Sequence, residues 1–453
     1  MSILYRPYQK TEIAPLIVLR VCFGFLMILT ILRFWFYGWV EKFYIEPSFH
    51  FKYYGFEWIA PLGAYTHLIF LMSLISSIGI LLGYKYRLSV LLFFLSFTYI
   101  ELMDKTTYLN HYYFVSSLAF LLFFLPAGRY FSLDSKLYDS KVAPQVSRWT
   151  VDSVKLLIGL VYFYAGLAKL NSDWLIDALP LSIWLPAKYD LFLIGPLLTK
   201  QWVHYLFSWG GTLYDLMIPF LLLYSRTRYF AFIIVIVFHV MTRILFPIGI
   251  FPYVMIIATL IFFEAKFHQK ILNYSSQLLR LKQAKNPKQY QKSINSSLNK
   301  YITKPILVLF LVFHILFPWR YLLYPGELFW TEEGYRFSWR VMLMEKSGYA
   351  QFKIVDTQNK RWFYVNNSDF LTPFQEKQMS FQPDFILEYA HYLKEHFYKD
   401  GHRNISIYVE SYVSLNGRPS QPFIDPNIDL TQEKESFKPK NWILPFNHEI
   451  KGL

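Results

Sequence analysis

The sequence has a single cysteine, Cys22, among its 453 residues. One cysteine cannot form an intramolecular disulfide, a CxxC redox centre or a cysteine-ligated metal cluster. The sequence also lacks a P-loop, a Rossmann glycine fingerprint and an HExxH-like spacing of metal ligands. It therefore predicts no nucleotide-binding domain of these types and no metal site.

Charged residues are scarce, at 17%, whereas 54% of the chain is hydrophobic and 21% is aromatic. Several apolar stretches reach the roughly 20 residues that cross a bilayer. The first stretch follows Arg6 and Lys10 but is too long for a signal peptide and lacks its cleavage pattern, so we expect it to be retained. The stretches at 229–246 and 249–264, separated by Pro247-Ile-Gly249, could form a tight hairpin. The pattern predicts a polytopic α-helical membrane domain of about nine spans, near residues 13–38, 61–84, 88–104, 110–126, 152–170, 202–224, 229–246, 249–264 and 302–323.

The net charge of +14 is concentrated in a few segments. A basic loop between apolar segments is typical of the cytoplasmic side of a membrane or of contact with anionic lipid, and less so of an RNA site. We therefore expect no nucleic-acid partner, a cytoplasmic N-terminus and an extracytoplasmic C-terminal region. Residues 265–300 contain eight basic residues and no acidic one: Lys266, Lys270, Arg280, Lys282, Lys285, Lys288, Lys292 and Lys300. The other loops assigned to the cytoplasm are also basic, with Lys85, Arg87, Arg129, Lys136, Lys141, Arg148, Arg226 and Arg228.

The sequence becomes more polar in its last third. Residues 1–325 are predicted to form the membrane domain, and residues 330–453 a soluble extracytoplasmic α+β or β-rich domain. Asn416-Gly417 is an Asn-Gly turn signal. The proline-containing residues 175–200 are expected to form an interfacial loop and not a span. Alternating apolar residues predict strands at 340–344, 351–355, 361–365 and 405–413, and helical periodicity predicts a helix at 385–397.

Lys169 ends a long apolar run, where its charged ammonium group is costly to desolvate. A neutral amine there could act as a base, whereas the alternative is a lysine that snorkels to the interface. Because ionisable groups at membrane depth are expensive, a cluster of them on one face indicates a functional site. Each histidine alone could instead be a helix-packing hydrogen bonder, and Arg243 an interfacial anchor. The predicted topology places the following residues on the same face as Lys169: His67, Asn110, His111, His239 and Arg243.

Six ordered motifs lie between about residue 10 and residue 445: Asp104-Lys-Thr-Thr-Tyr-Leu-Asn-His111, Tyr164-Ala-Gly-Leu-Ala-Lys-Leu-Asn-Ser-Asp-Trp174, Trp209-Gly-Gly, Phe238-His-Val-Met-Thr-Arg-Ile-Leu-Phe-Pro-Ile-Gly-Ile-Phe251, Gly334-Tyr-Arg-Phe-Ser-Trp-Arg-Val-Met342, and Tyr412-Val-Ser-Leu-Asn-Gly-Arg-Pro-Ser-Gln with Asp425-Pro. In these motifs the sequence resembles the vitamin K-dependent γ-glutamyl carboxylase family, whose membrane part is called the HTTM domain. The resemblance implies that reduced vitamin K and O2 yield the epoxide, while a glutamate side chain gains CO2 and becomes γ-carboxyglutamate.

The resemblance also implies roles for residues of the membrane domain. Lys169 matches the family's catalytic base, which removes a proton from the hydroquinone. Asn110 and His111 match a catalytic pair that orients the quinone oxygens and helps the carbanion to meet CO2. Together with His239, these residues are expected to bind reduced vitamin K.

A glutamate-containing peptide or protein is expected to bind to the extracytoplasmic domain, residues 330–453, which we call the outer domain. The residues expected to bind it are Tyr335, Trp339 and Arg418. For Arg418 the alternative is a solvated turn arginine. Membrane lipid and quinone complete the expected partners, and no metal cofactor is implied.

The sequence departs from the animal members of the family. Ala168 stands where they have a second lysine, Thr242 replaces an asparagine and Met344 a histidine. Their C-terminal extension and paired cysteines are absent, which suggests a bacterial member in the inner membrane. Since these departures concern peptide engagement more than the quinone pocket, the nearest alternative is a quinol epoxidase that has lost peptide carboxylation. A second alternative is a transporter or lipid-binding membrane protein in which Lys169 is a counter-ion.

Overall fold

Helices make up most of the chain as far as residue 323. The computed structural model describes residues 9–137, 145–278 and 300–452. Lys141 and most of the basic segment 265–300 therefore lie outside the described residues. A short antiparallel pair, β1 (Lys10–Glu12) and β2 (Gln145–Ser147), precedes α1 and α6. The helices are α1 (Ala14–Phe36), α2 (Thr66–Leu82), α3 (Tyr86–Leu102), α4 (Asn110–Phe124), α5 (Leu133–Leu137), α6 (Trp149–Leu167), α7 (Ser172–Leu175), α8 (Leu181–Trp184), α9 (Gly195–Leu198), α10 (Gln201–Leu223), α11 (Arg228–Leu245), α12 (Phe251–Thr259), α13 (Ala265–Leu278) and α14 (Lys300–Leu316).

Long apolar helices indicate that this region is inserted in a membrane. Helical structure lies in each of the nine predicted stretches, but α3 and α4, with 17 and 15 residues, are shorter than a typical span. The predicted count of nine spans is therefore not confirmed. A seventh candidate span exists if Phe251–Phe262 and Ala265–Leu278, bent by 118°, are taken together. Among the described residues, six helical segments are long and apolar enough to cross a membrane: Ala14–Phe36, Gly63–Leu82, Trp149–Leu167, Gln201–Leu223, Arg228–Leu245 and Ile302–Leu323.

Helices α6 and α10 cross closely at Gly166. A Cβ atom at Gly166 would lie 2.8 Å from Cγ of Leu216, so a larger residue would push the two helices apart. In lipid no hydrophobic force drives helices together, so their association depends on close packing. Small residues such as glycine allow that packing. This crossing brings the end of α6 against the middle of α10.

The outer domain contains a four-stranded antiparallel sheet in the order β4-β3-β5-β6. Its elements are α15 (Leu328–Thr331), β3 (Lys346–Asp356), β4 (Trp362–Tyr364), α16 (Pro373–Met379), α17 (Pro383–Lys399), β5 (Ile405–Leu415) and β6 (Gln421–Pro422). The predicted strands at 351–355, 361–365 and 405–413 and the predicted helix at 385–397 are confirmed. Alternate residues of β5 are buried, and Phe352 of β3 packs edge-on against Tyr389 of α17 at 4.9 Å. The Asn416-Gly417 turn is also confirmed, since both residues have positive φ, of 52° and 75°.

The predicted strand at 340–344 is wrong. Phe337, Trp339 and Met342 all have positive φ, of 59°, 60° and 52°, and a backbone of this kind cannot keep the pleat of a strand. Trp339, just before this segment, enters the core of the membrane domain, whereas Leu343 is buried in the core that contains the outer sheet. Trp339 is only 1% exposed and stacks on Tyr113 of α4 at 4.7 Å.

Residues 175–200 form a folded loop with the short helices α8 and α9, and do not form a span, as predicted. Leu181, Leu185 and Leu198 are buried in the same hydrophobic core as the outer sheet. The loop is therefore part of the outer layer that covers the end of α6.

An ion-pair network joins the outer domain to the loop between α3 and α4. Lys105 Nζ lies 2.9 Å from Asp384 Oδ2 and 2.9 Å from Glu388 Oε2, and Arg336 Nη1 donates to Asp384 at 2.8 Å. Burial alone would raise the pKa of Asp384, but Arg336 and Lys105 outweigh it and hold that pKa well below its usual range. Asp384 is therefore a buried carboxylate that both parts of the protein stabilise.

Candidate active site

A cavity of about 100 Å³ lies where α6, α10, α11 and α12 meet the outer domain. Two residues of the irregular outer segment, Val341 and Met342, form part of its wall. Three ionisable side chains, Lys169, Asp215 and His239, line an otherwise largely apolar enclosure. Its aromatic walls include Tyr162, Trp174, Phe207, Phe238, Phe246 and Phe251.

Lys169 follows the end of α6 and is buried, with only 6% of its surface exposed. Its Nζ donates to Asp215 Oδ2 at 2.8 Å and to the Ala165 carbonyl at 2.9 Å, and lies 5.4 Å from the centre of the Trp174 ring. The alternative of a lysine that snorkels to the interface is therefore wrong. The close crossing of α6 and α10 buries the amine against a carboxylate.

Asp215, which is only 5% exposed, is not among the site residues predicted from the sequence. A signal was present, because Asp215 is the only acidic residue among the 23 of α10. An acidic residue inside an apolar span is costly unless it is paired, and such residues mark functional sites. What the sequence lacked was the identity of the partner, which lies 46 positions earlier in the chain.

His239, on α11, lines the same cavity and is 2% exposed. Its Nε2 lies 3.0 Å from the Tyr162 hydroxyl, which in turn lies 3.4 Å from Thr259 Oγ1. Its Nδ1 is buried and has no hydrogen-bond partner among the described residues. Because buried polar atoms are nearly always paired, this nitrogen needs a partner that the described residues do not supply.

His111 lies behind one wall of the cavity. The ring of Phe251 is 5.9 Å from the His111 ring and 5.9 Å from the His239 ring, so it separates the two histidines. Gly249, with φ of 61°, passes close to His111, since a Cβ there would lie 3.7 Å from its Nε2. Phe251 is thus the residue of the cavity wall that lies against His111.

Asn110 faces the outer domain. Its Nδ2 donates to the Arg340 carbonyl at 2.7 Å, and its Oδ1 accepts from the Tyr108 hydroxyl at 3.1 Å. Asn110 thereby fixes the segment that carries Val341 and Met342 into the cavity wall. Its expected contact with a quinone, like the catalytic role of His111, stays a prediction.

Arg418 is bound within the protein. Its Nη1 and Nη2 donate to the two carboxylate oxygens of Asp173 at 2.7 Å each, and Asn416 donates to the same carboxylate at 2.7 Å. Hydrogen bonding to Asp173 raises the pKa of Arg418. Since Asp173 precedes Trp174, the pair holds a wall of the cavity, and Arg418 is not a solvated turn arginine. Its role in peptide binding stays a prediction.

The remaining predicted residues lie away from the cavity. Trp339 is in the core of the membrane domain, and Tyr335 is half-buried against Phe329 at 6.2 Å. His67 accepts from Trp35 at 2.9 Å, and Arg243 is exposed. Of the residues expected to converge, the structure therefore places Lys169 and His239 in one cavity. No cluster of three metal-binding side chains occurs among the described residues.

The chain matches two family models in sequence order. Residues 8–267 match the HTTM domain, and residues 299–449 match the lumenal domain of vitamin K-dependent gamma-carboxylase. The first match alone covers more than half of the chain. No solved structure matches it.

Proposed function

Since the chain belongs to the vitamin K-dependent gamma-carboxylase family, we propose that it couples the oxidation of reduced vitamin K by O2 to γ-carboxylation of glutamate side chains by CO2. The observation that carries this proposal is the buried Lys169–Asp215 pair in the wall of an apolar cavity. On oxidation, reduced vitamin K supplies a base strong enough to remove the weakly acidic γ-hydrogen of glutamate, which a side chain with a pKa near neutrality cannot remove.

The cavity suits an aromatic quinol. Phe238, Phe251 and Trp174 provide flat apolar walls, and ligand pockets of this kind combine such walls with a few polar groups that fix orientation. Lys169 Nζ and the unpartnered Nδ1 of His239 supply polar groups of that type. Both would hold the quinol by its oxygens.

Lys169 would accept a proton from the bound quinol. An amine accepts a proton only when it is neutral, and a charged pair in a dry cavity pays a large desolvation penalty. Asp215 can take the proton of the ammonium group, which leaves a neutral amine and a neutral carboxyl 2.8 Å apart. Asp215 is thus proposed to orient the amine and to share its proton.

The other residues would serve later steps. His111, behind Phe251, would act on the intermediate that meets CO2, and Asn110 would fix the outer segment at Arg340. The apolar side chains of Phe246 and Met342 would exclude water, which would quench a strong base.

The domain arrangement is also proposed. Residues 1–325 would form the membrane domain and residues 330–453 an extracytoplasmic domain, with the N-terminus in the cytoplasm. A bacterial inner membrane would be the location, and a glutamate-containing peptide would approach from the outer side. The basic loops of the sequence and the lumenal-domain match support this orientation.

One observation favours a second candidate, a quinol epoxidase without peptide carboxylation. Arg418, the residue expected to hold an acidic peptide, is already bound to Asp173. The same pairing supports the cavity wall at Trp174, so the quinol cavity does not need a free Arg418. Epoxidation is therefore common to both candidates, and carboxylation separates them.

A direct assay tests the proposal. The purified full-length protein is supplied with vitamin K hydroquinone, O2, labelled CO2 and a glutamate peptide, with the glutamine analogue as control. We expect equal amounts of epoxide and labelled peptide, and neither product without O2. Epoxide without label would establish the second candidate. Absence of both products and of O2 uptake would refute both and leave the transporter alternative.

A further inference from the structure

A second cleft lies on the other side of the end of α6 from the Lys169 cavity. Tyr164 and Ala168 form its α6 side, while Trp319 and Tyr321 form the opposite side. Its cavity volume is about 10 Å³, and its whole empty space, with the open mouth included, is about 250 Å³. Arg340, from the irregular outer segment, lines this cleft and is only 5% exposed.

The Arg340 guanidinium is buried, but two of its nitrogens lack a hydrogen-bond partner among the described residues. Its Nε and Nη1 are buried and have no partner among the described residues. The group lies over the Tyr321 ring at 4.4 Å, which gives some cation–π stabilisation but satisfies neither nitrogen. Burial lowers the pKa of Arg340, and the nearby Tyr335, Tyr321 and Glu327 only partly offset that effect.

The position of Arg340 is nevertheless fixed. Asn110 holds its carbonyl at 2.7 Å, and the next two residues line the quinol cavity. Ala168 lines the same cleft as Arg340, and it precedes Lys169. The unpartnered donors therefore lie in a built site that adjoins the reacting cavity.

We propose that this cleft binds a carboxylate, with Arg340 as the positioning residue that pairs with it. The planar guanidinium matches a carboxylate or bicarbonate better than any other side chain does. Two sources share this chemistry: an acidic side chain of the peptide, and bicarbonate. The identity of the carboxylate, a peptide side chain or bicarbonate, rests on the proposed function. The carboxylate site itself does not, because the unpartnered nitrogens of Arg340 are observed whatever the reaction is.

A binding assay that needs no turnover tests the site. Melting temperatures of the full-length protein are measured at constant ionic strength with bicarbonate, with a glutamate peptide, with its glutamine analogue and with chloride. Variants are Arg340→Met, which removes the donors, and Ala168→Leu, which fills the cleft but keeps Arg340. Arg243→Met, at an exposed arginine, is the matched control.

We expect saturable stabilisation by bicarbonate or by the glutamate peptide, and none by chloride. Both cleft variants should weaken that binding by about tenfold or more, as expected for a hydrogen bond to a charged group, and Arg243→Met should not. Preference for the glutamate peptide over its glutamine analogue identifies a peptide side chain, and stabilisation by bicarbonate alone identifies the free anion.

Unchanged binding in both cleft variants, or no saturable binding in the wild type, overturns the proposal. If Arg340→Met does not fold, Ala168→Leu and Arg340→Lys provide the same test. Loss of turnover with retained carboxylate binding would contradict the proposed function and leave this site intact.

Discussion

Lys169 and Asp215 form a buried ion pair of 2.8 Å between the end of α6 and the middle of α10. The pair exists because Gly166 lets the two helices approach closely. Removing one partner from such a pair costs more than removing both, since the remaining charge stays buried. Catalysis and stability at this site can therefore be separated by a double substitution.

We expect Lys169→Met to abolish epoxide formation and to destabilise the protein by roughly 3–5 kcal/mol, because it leaves Asp215 unpaired. Adding Asp215→Asn should recover most of the stability and none of the activity. Epoxide is measured by chromatography and stability by thermal melting, with Lys200→Met, at an exposed lysine, as the control. Near-normal epoxide in the single variant would show that Lys169 is not the base.

His111→Ala should reduce carboxylation more than epoxidation, so that epoxide forms in excess over γ-carboxyglutamate. The reason is the position of His111 behind Phe251, on the side away from His239. Loss of one such group typically costs on the order of 100-fold in rate. The ratio of the two products is the measurement, and exposed His402→Ala is the control. An equal loss of both products would place His111 in quinol binding.

Arg418→Ala should lower the stability of the protein, because it removes the charged partner of the Asp173 carboxylate. The Asp173 side chain is only 1% exposed. The expected loss is about 2–5 kcal/mol. A second effect, a higher KM for the glutamate peptide with unchanged quinol affinity, is expected if Arg418 also binds the substrate. Exposed Arg361→Ala should change neither quantity. Lower stability with an unchanged peptide KM would restrict Arg418 to holding the cavity wall.

Acid should weaken the contact between the two domains through Asp384. Its pKa lies below that of the unfolded chain, so its stabilising contribution is complete above about pH 4 and is lost as the pH falls through the folded value. Melting temperatures between about pH 6 and about pH 3 should therefore fall less steeply in Asp384→Asn than in the wild type. Asp190→Asn, at an exposed site, should keep the wild-type slope.

Glu388 opposes this trend, since burial raises its pKa more than Lys105 lowers it. A carboxyl with a raised folded pKa gives stability below its unfolded pKa and loses it as the pH rises. Identical slopes in the wild type and in Asp384→Asn would mean that the Lys105 network does not set the acid sensitivity.

Reporter fusions test the orientation. A fusion at Lys288 should report from the cytoplasm and one at Glu433 from the opposite side, because the loops assigned to the cytoplasm are basic. A cytoplasmic signal from Glu433 would reverse the proposed membrane sidedness and the access route of the peptide.

Local patterns predicted most of the elements but not their contacts. Period-two alternation located β5, and helical periodicity located α17, because both lie with one face on the outer core. The same alternation failed at 340–344, because positive φ at Met342, and at Trp339 just before the segment, breaks the pleat. Trp339 then packs in the membrane domain and Leu343 in the outer core. Backbone reversals of this kind depend on the surface that receives the side chains, which local sequence does not describe.

Only part of the candidate site could be predicted, because local sequence shows costly residues but not their tertiary partners. Lys169 and His239 are visible as costly residues in apolar stretches, and both line the cavity. Asp215 had the same signal, but its pairing depends on a helix crossing that no local pattern encodes. The proximity of Asn110 to Arg340, 230 positions away, likewise follows from tertiary packing alone.

The cavity wall formed by Val341 and Met342 has a consequence for biosynthesis. These residues are translated after every helix of the membrane domain, so the cavity lacks this part of its wall when the last span has been made. On the proposed topology, the outer domain must then cross the membrane and fold back before the cavity closes. On the proposed function, an incomplete chain would therefore lack a closed quinol site until the outer domain is in place.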